Sequence, residues 1–241
     1  GLKQIIELSK DLNIYQDLPK LLSISLGSAE TTLLNLTSAY STFVNGGLKV
    51  NPTLISRIQD RRGKTIYVPA LSGKCVGCDK FIIAGEMPSI KKNNSKIFSE
   101  QTAYQITSIL EGVVKRGTGK KLRDLNVPLA GKTGTTNNNF DAWFIGFTSN
   151  LVIGVYVGYD NPKTLGKYET GSKAALPIFK DFVKRSIYKD EFKNFPIPEG
   201  IYFAPVDYDS GNKSNFDQKN SIIEAFKTKD INNISNKNLS D

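Results

Sequence analysis

Histidine is absent from these 241 residues, methionine and tryptophan occur once each, as Met87 and Trp143, and cysteine occurs twice. Without histidine there can be no Ser-His-Asp triad, no Cys-His dyad, no His-metal site and no histidine general base. Proton transfer here must use lysine, a carboxylate or tyrosine. The two cysteines stand together as Cys75-Val76-Gly77-Cys78. A zinc ribbon needs a second pair and a finger needs two histidines, so no metal is expected. The flanks Ser72-Gly73-Lys74 and Asp79-Lys80 read as loop, so the expectation is a small knuckle, reduced or disulfide-closed, not a thioredoxin-like motif. No apolar run reaches the roughly 18–20 residues of a membrane span, and no signal-peptide pattern is visible. The sequence opens on Gly1-Leu2-Lys3, without an initiating methionine, which reads as a processed product or a fragment.

Charge is present in excess of one sign. Lys and Arg total 32 against 23 Asp and Glu, a net charge of +9. Residues 189–241 hold 7 basic and 9 acidic residues, so residues 1–188 carry +11 and the end of the chain −2. The basic part favours an anionic partner: nucleic acid, an acidic membrane face or a carboxylate substrate. With 39% hydrophobic and 10% aromatic residues the chain can pack a core. At about 150 residues per domain it is one large domain, or one domain with appendages.

Hydrophobic spacing predicts one short helix and three longer ones. Residues 2–12 form a short amphipathic one. Ser28-Ala29-Glu30 looks like the start of the next, with Leu33, Leu36, Tyr40, Phe43 and Val44 following at helical spacing until Asn45-Gly46-Gly47 stops it. Ser99-Glu100 opens another, with Ala103, Ile106, Ile109, Leu110, Val113 and Val114 on its buried side, ending at Arg116-Gly117-Thr118-Gly119. Ala174–Tyr188 is a further helix with Pro177 in its first turn and Ile178, Phe179, Phe182, Val183 and Ile187 inward. Strands are expected at Thr53–Asp60 and Lys64–Val68, with 69–98 an irregular connection. Gly131–Thr136, Ala142–Phe147 and Leu151–Tyr159 read as three further strands, apolar on both faces and therefore central. Helices before and after antiparallel strands give an α+β fold, an antiparallel sheet with helices on both faces. After Phe195 the prolines Pro196, Pro198 and Pro205 mark an extended stretch, and the Asn/Ser/Lys/Asp-rich end is expected to be disordered. The expected division is 1–190, 191–212 and a disordered 213–241.

The chemistry-bearing segment is Ala130-Gly131-Lys132-Thr133-Gly134-Thr135-Thr136. A phosphate loop would need a glycine where Asn126 stands, would not contain Pro128, and would open onto a helix. On a strand, Lys132 and Gly134 point to one face and Thr133 and Thr135 to the other. One ammonium and two hydroxyls make a compact carboxylate site. Gly134 lets a ligand lie against the backbone, and an edge strand can bind a peptide as an added strand. Lys-Thr-Gly is also a signature of serine β-lactamases and penicillin-binding proteins.

Several further stretches extend that match in order along the chain. They are Leu22–Thr32 through Ala39-Tyr40 and Asn45-Gly46-Gly47, Ile58-Gln59-Asp60 with Gly63–Tyr67, and Val113–Gly119. Then come Gly131–Asn137 followed by Asp141-Ala142-Trp143-Phe144, Val157–Asp160, Ala175–Phe179, and Pro198-Glu199-Gly200-Ile201. Over roughly residues 1–212 the chain resembles the C-terminal part of the transpeptidase domain of class A penicillin-binding proteins, nearest the 1A type. The resemblance implies peptidoglycan cross-linking by a bifunctional glycosyltransferase/transpeptidase anchored on the periplasmic face of the bacterial inner membrane. In that chemistry a serine attacks the penultimate D-alanine carbonyl of a stem peptide, the terminal D-alanine leaves, and a neighbouring amine takes the acyl group. By resemblance, Lys132 stabilises the site and the anionic substrate end. Thr133 and Thr135 hold the terminal carboxylate beside Gly134, and the Thr135 backbone N–H is an oxyanion donor. The implied partners are the D-Ala-D-Ala stem peptide and β-lactams. No cofactor, metal or nucleic acid is implied, and the membrane enters only through an N-terminal part not in this chain.

The family's Ser-x-x-Lys and Ser-x-Asn motifs lie upstream of the segment that Gly1–Asp11 resembles. Ser89-Ile90-Lys91-Lys92, Ser186-Ile187-Tyr188-Lys189 and Ser210-Gly211-Asn212-Lys213 spell Ser-x-x-Lys, but none opens a buried helix after an apolar approach. The expectation is a chain with the third motif and no nucleophile, inactive toward penicillin alone. Two alternatives stay open: a non-catalytic, peptide-binding remnant of a disrupted gene, and a basic nucleic-acid binder using Lys115, Arg116, Lys120, Lys121 and Arg123. The second lacks interleaved aromatics and any nucleic-acid motif.

Overall fold

The computed structural model describes residues 1–69, 74–76, 89–91, 95–186 and 192–230. Helix α1 spans Leu2–Asp11, and Ser9 and Leu12 are its buried contacts. Helix α2 spans Leu33–Val44. It starts later than Ser28-Ala29-Glu30 suggested, because Thr32 is the residue whose hydroxyl accepts a helical N–H, that of Asn35, at 3.1 Å. Strands β1 (Ile58–Gln59) and β2 (Thr65–Tyr67) form a short hairpin within the expected spans, closed by Gly63 at φ +80°. The segment expected to be irregular contains β3 (Lys74–Val76) paired antiparallel with β4 (Ser89–Lys91). Cys75 lies on β3, while Cys78 is outside the described residues, as is most of the expected knuckle.

Helix α3 spans Glu100–Lys115, and the Ser99 hydroxyl accepts the Thr102 N–H at 3.2 Å. Ala103, Leu110 and Val114 are buried as its spacing implied, but Ile109 is 56% exposed. The buried stripe runs through 103, 107, 110 and 114, and Ile109 lies beside it. A 3-10 turn over Lys120–Leu125 then delivers the chain to the main sheet.

That sheet has the order β5 (Ala130–Thr135), β6 (Ala142–Phe147), β7 (Val152–Val157), all antiparallel. Only β6 is central among the described residues; β5 and β7 are edges, so the expectation of three central strands holds for one. Side chains alternate across the sheet. One face carries Ala142 and Phe144, packed under Ala175, Leu176, Phe179 and Val183 of α4 (Ala175–Ser186), with Leu122 and Leu125 completing the layer. The opposite face carries Ala130 and Phe147, packed against Tyr40 of α2, Leu110 of α3 and Phe195. The fold is therefore an antiparallel sheet with helices on both faces, as expected.

In α4 the expected inward set is corrected. Phe179 and Val183 are buried, but Ile178 and Phe182 are 52% and 45% exposed, and Ile187 lies outside the described residues. Residues 175, 179 and 183 recur every four positions and make one stripe; 178 and 182 make the next stripe round the helix.

The Lys180 ammonium donates to the Asp124 carboxylate at 2.6 Å and to the Lys121 carbonyl at 2.7 Å, tying α4 to the 3-10 turn. The hydrogen bond from Lys180 holds the Asp124 carboxyl below its ordinary value. A depressed carboxyl stabilises the fold above its unfolded pKa, and that contribution is lost as pH falls through the folded pKa. The thermal-midpoint gap between the native chain and Asp124→Asn should hold steady from about pH 7 to about pH 5 and close below about pH 4.

The end of the chain is more ordered than composition suggested. Strand β8 (Ile201–Asp207) pairs antiparallel with β9 (Ser221–Lys227), inside the stretch expected to be disordered from 213 onward. Seven residues of β9 supply enough apolar surface, with Ala225 and Val206 buried. Pro205 is tolerated because its backbone faces away from β9, its carbonyl accepting the Ser214 N–H at 3.0 Å, so it removes no donor from the β8–β9 ladder. Residues 231–241 lie outside the described residues.

Candidate active site

The Lys-Thr-Gly segment is strand β5, at an edge of the sheet among the described residues. Its register is fixed by β6: Lys132 opposes Ile145, Thr133 opposes Phe144, Gly134 opposes Trp143 and Thr135 opposes Ala142. Lys132 and Gly134 thus share the face of Trp143, and Thr133 and Thr135 share the face of Phe144 and α4. The ammonium and the two hydroxyls are not side by side on one face. The exposed Lys132 side chain curls back to donate to the Thr133 carbonyl at 2.6 Å. Among the described residues this uses one of its three N–H donors, leaving two that an anionic ligand could accept from.

The two threonine hydroxyls are each oriented by a neighbour. Thr135 Oγ1 accepts the backbone N–H of Gly171 at 3.0 Å. A hydroxyl has one donor and two acceptor sites, so accepting from Gly171 leaves the Thr135 O–H free to donate outward. Thr133 Oγ1 lies 3.0 Å from Thr118 Oγ1 on the turn after α3. With Thr118 donating, the Thr133 O–H is likewise directed to a ligand. Both are then arranged as donors, which is what a carboxylate requires.

Gly171 matters because it lies against the strand. A Cβ there would stand 2.5 Å from the Gly134 carbonyl oxygen and 2.4 Å from that of Trp143, so no side chain fits. One side of the Gly134 backbone is covered by Gly171 and the other by the Trp143 side chain, 3.1 Å from where a Gly134 Cβ would stand, which leaves the strand edge for a ligand. On the same face of the sheet, across β6 and β7, the ring centroids of Trp143 and Tyr156 lie 4.8 Å apart, and the Tyr156 hydroxyl donates to the Asp141 carboxylate at 2.8 Å. That hydrogen bond raises the Tyr156 pKa above its ordinary value.

Sequence reasoning found the strand and its four named residues, Lys132, Thr133, Gly134 and Thr135. It did not single out Thr118 or Gly171, whose roles depend on turns that approach β5 from 15 and 36 positions away. Of the three Ser-x-x-Lys stretches, Ser89 begins strand β4, Ser186 is the last residue of α4, and Ser210 sits in the β8–β9 connection with its hydroxyl donating to Asp207. None opens a helix. No group of three or more metal-ligating side chains occurs among the described residues, and none of their helices is long and apolar enough to cross a membrane.

The description "Penicillin binding protein transpeptidase domain" matches residues 15–184. Penicillin-binding protein 1A of Rickettsia prowazekii is 42% identical over 240 residues, covering 98% of this chain and 30% of that protein. Penicillin-binding protein 1A of Pseudomonas aeruginosa is 32% identical over 261 residues, covering 95% of this chain and 32% of that protein. The chain therefore spans about a third of the length of these relatives. The crystal structure of penicillin-binding protein 1A from Haemophilus influenzae superposes with a TM-score of 0.73 at 26% identity, over 94% of this chain and 36% of that one. The PonA1 protein of Mycobacterium tuberculosis in complex with penicillin V shares the fold, with a TM-score of 0.56 at 19% identity, over 82% of this chain and 56% of that one. The edge-strand Lys-Thr-Gly, the sheet between two helical layers and these likenesses agree: the chain belongs to the penicillin-binding protein transpeptidase family, class A, 1A type.

Proposed function

We propose that the chain supplies the third-motif wall of a serine D-Ala-D-Ala transpeptidase that cross-links peptidoglycan. The reading is supported most by β5: one exposed ammonium on an edge strand among the described residues, with the Thr133 hydroxyl hydrogen-bonded to that of Thr118 and the Thr135 hydroxyl accepting from Gly171, within the matched segment. The ammonium and the Thr133 and Thr135 hydroxyls bind the terminal carboxylate of the stem peptide. The serine Oγ attacks the penultimate D-alanine carbonyl, the Thr135 N–H stabilises the developing oxyanion, and terminal D-alanine departs carrying the proton. An acceptor amine then attacks the acyl-serine ester, forming the cross-link and returning the hydroxyl.

The nucleophile is read as lying outside these residues, because no Ser-x-x-Lys here opens a helix and the relatives are about three times longer. The 241 residues alone are therefore read as catalytically incomplete and unable to acylate penicillin. The whole protein is read as a glycosyltransferase/transpeptidase held at the periplasmic face of the inner membrane by its N-terminal part, with residues 1–190 as the transpeptidase portion.

The polypeptide encoded by the whole reading frame, given peptidoglycan precursor with a pentapeptide stem, should release D-alanine and form cross-linked dimers, both blocked by penicillin. A folded polypeptide that releases no D-alanine would overturn the proposal. A reading frame without upstream Ser-x-x-Lys and Ser-x-Asn would mark the chain as a non-catalytic remnant.

A further inference from the structure

The family match ends at residue 184, yet the β8–β9 hairpin beyond it is fastened along α3 inside it. Gln101 donates to the Glu199 carbonyl at 2.8 Å, Lys227 to the Thr102 hydroxyl at 2.6 Å and Gln105 to the Ala225 carbonyl at 3.1 Å. Tyr104 and Phe203 meet edge to face at 6.2 Å. The last tie is an ion pair between Arg116, at the C-terminal cap of α3, and Glu224 of β9, with side chains only 30% and 21% exposed.

This last tie stands where the site begins. A Cβ on Gly112 would lie 3.0 Å from the Arg116 guanidinium, so the arginine is laid back along its own helix to reach Glu224. From Arg116 the chain turns at once: the Gly117 N–H donates to Gly112 and Val113, and the Gly119 N–H to Val113 at 2.9 Å. Thr118 is held between them, 3.0 Å from Thr133. A partly buried charge-assisted hydrogen bond is stronger and more directional than an exposed pair. It therefore fixes the exit of α3, and with it the hydroxyl that orients Thr133.

We propose that the C-terminal hairpin is a clamp on α3, and that Arg116 and Glu224 are positioning residues that set Thr118 against Thr133 in the Lys-Thr-Gly strand. The consequence for catalysis rests on the proposed function, through the role given to Thr133; the clamp does not. The competing account is plain packing, in which the hairpin only covers apolar surface and the ion pair is incidental.

Hydrogen exchange on the 241-residue chain separates the two. Glu224→Gln should speed exchange about tenfold in residues 116–119 and 130–136, with β6 unchanged. The charge swap Arg116→Glu with Glu224→Arg should restore protection. Thr118→Val should loosen 130–136 while leaving the hairpin protected. Exchange that rises only within the hairpin, or equally in β6, or that the swap does not restore, would overturn the clamp. In the whole-frame polypeptide the same Glu224→Gln should slow β-lactam acylation and the swap should recover it. Loss of acylation in the unsubstituted polypeptide would instead count against the proposed function and leave the exchange result standing.

Discussion

Lys132→Ala should slow β-lactam acylation of the whole-frame polypeptide by about 10²–10³-fold, the range seen when one preorganised electrostatic contact is removed from an acyl-transfer site. Lys132 is exposed and contributes no core packing. Among the described residues its one hydrogen bond is to the neighbouring Thr133 carbonyl. The fold should therefore survive the change, and the thermal midpoint should stay close to the native value. Arginine should recover only part of the rate, because a planar fork cannot replace a compact ammonium curled round the strand edge. Stopped-flow acylation and a melting curve on the same preparation measure both halves. An alanine variant that acylates at the native rate would remove Lys132 from the site.

The largest stability effect should come from Phe179→Ala. Its ring is fully buried, 4.9 Å from that of Phe144 and edge-on to it, and it fills the space over Gly146 where a Cβ would be only 2.5 Å away. Truncating it leaves a cavity at the centre of the α4 layer and should cost about 3–5 kcal/mol. Ile178→Ala, one residue earlier on the same helix, should cost less than about 0.5 kcal/mol in the 241-residue chain, because Ile178 is half exposed. Urea unfolding of the two variants measures this contrast. Similar losses in both would mean that the apolar faces of α4 are assigned wrongly.

What could be read from the sequence follows from the range of each signal. The end of α2 at Asn45-Gly46-Gly47, the cap of α3 at Ser99 and the β6–β7 turn are short-range features, and each was found where composition and spacing put it. The cap of α2 lies four residues beyond Ser28, at Thr32, whose hydroxyl accepts the Asn35 N–H. Ile109, Ile178 and Phe182 were placed inward because a helical stripe tells which residues share a face, not how wide the covered part of that face is. The β8–β9 hairpin was hidden by its Asn- and Ser-rich connection, although Ser221–Lys227 alone has the apolar content of a strand. At the site, the Lys-Thr-Gly strand was legible as a motif. The convergence of Thr118 and Gly171 on it was not, since nothing local to either residue points to β5.

On the proposed function these residues form one wall of a penicillin-reactive site whose nucleophile lies outside them. Labelling with fluorescent penicillin, side by side on the 241-residue chain and on the whole-frame polypeptide, tests it most directly. The longer polypeptide should carry a covalent label, lost on denaturation in hydroxylamine as an acyl-serine ester should be, and the shorter one none. A covalent label retained by the 241-residue chain, or its absence from a folded longer polypeptide, would contradict it.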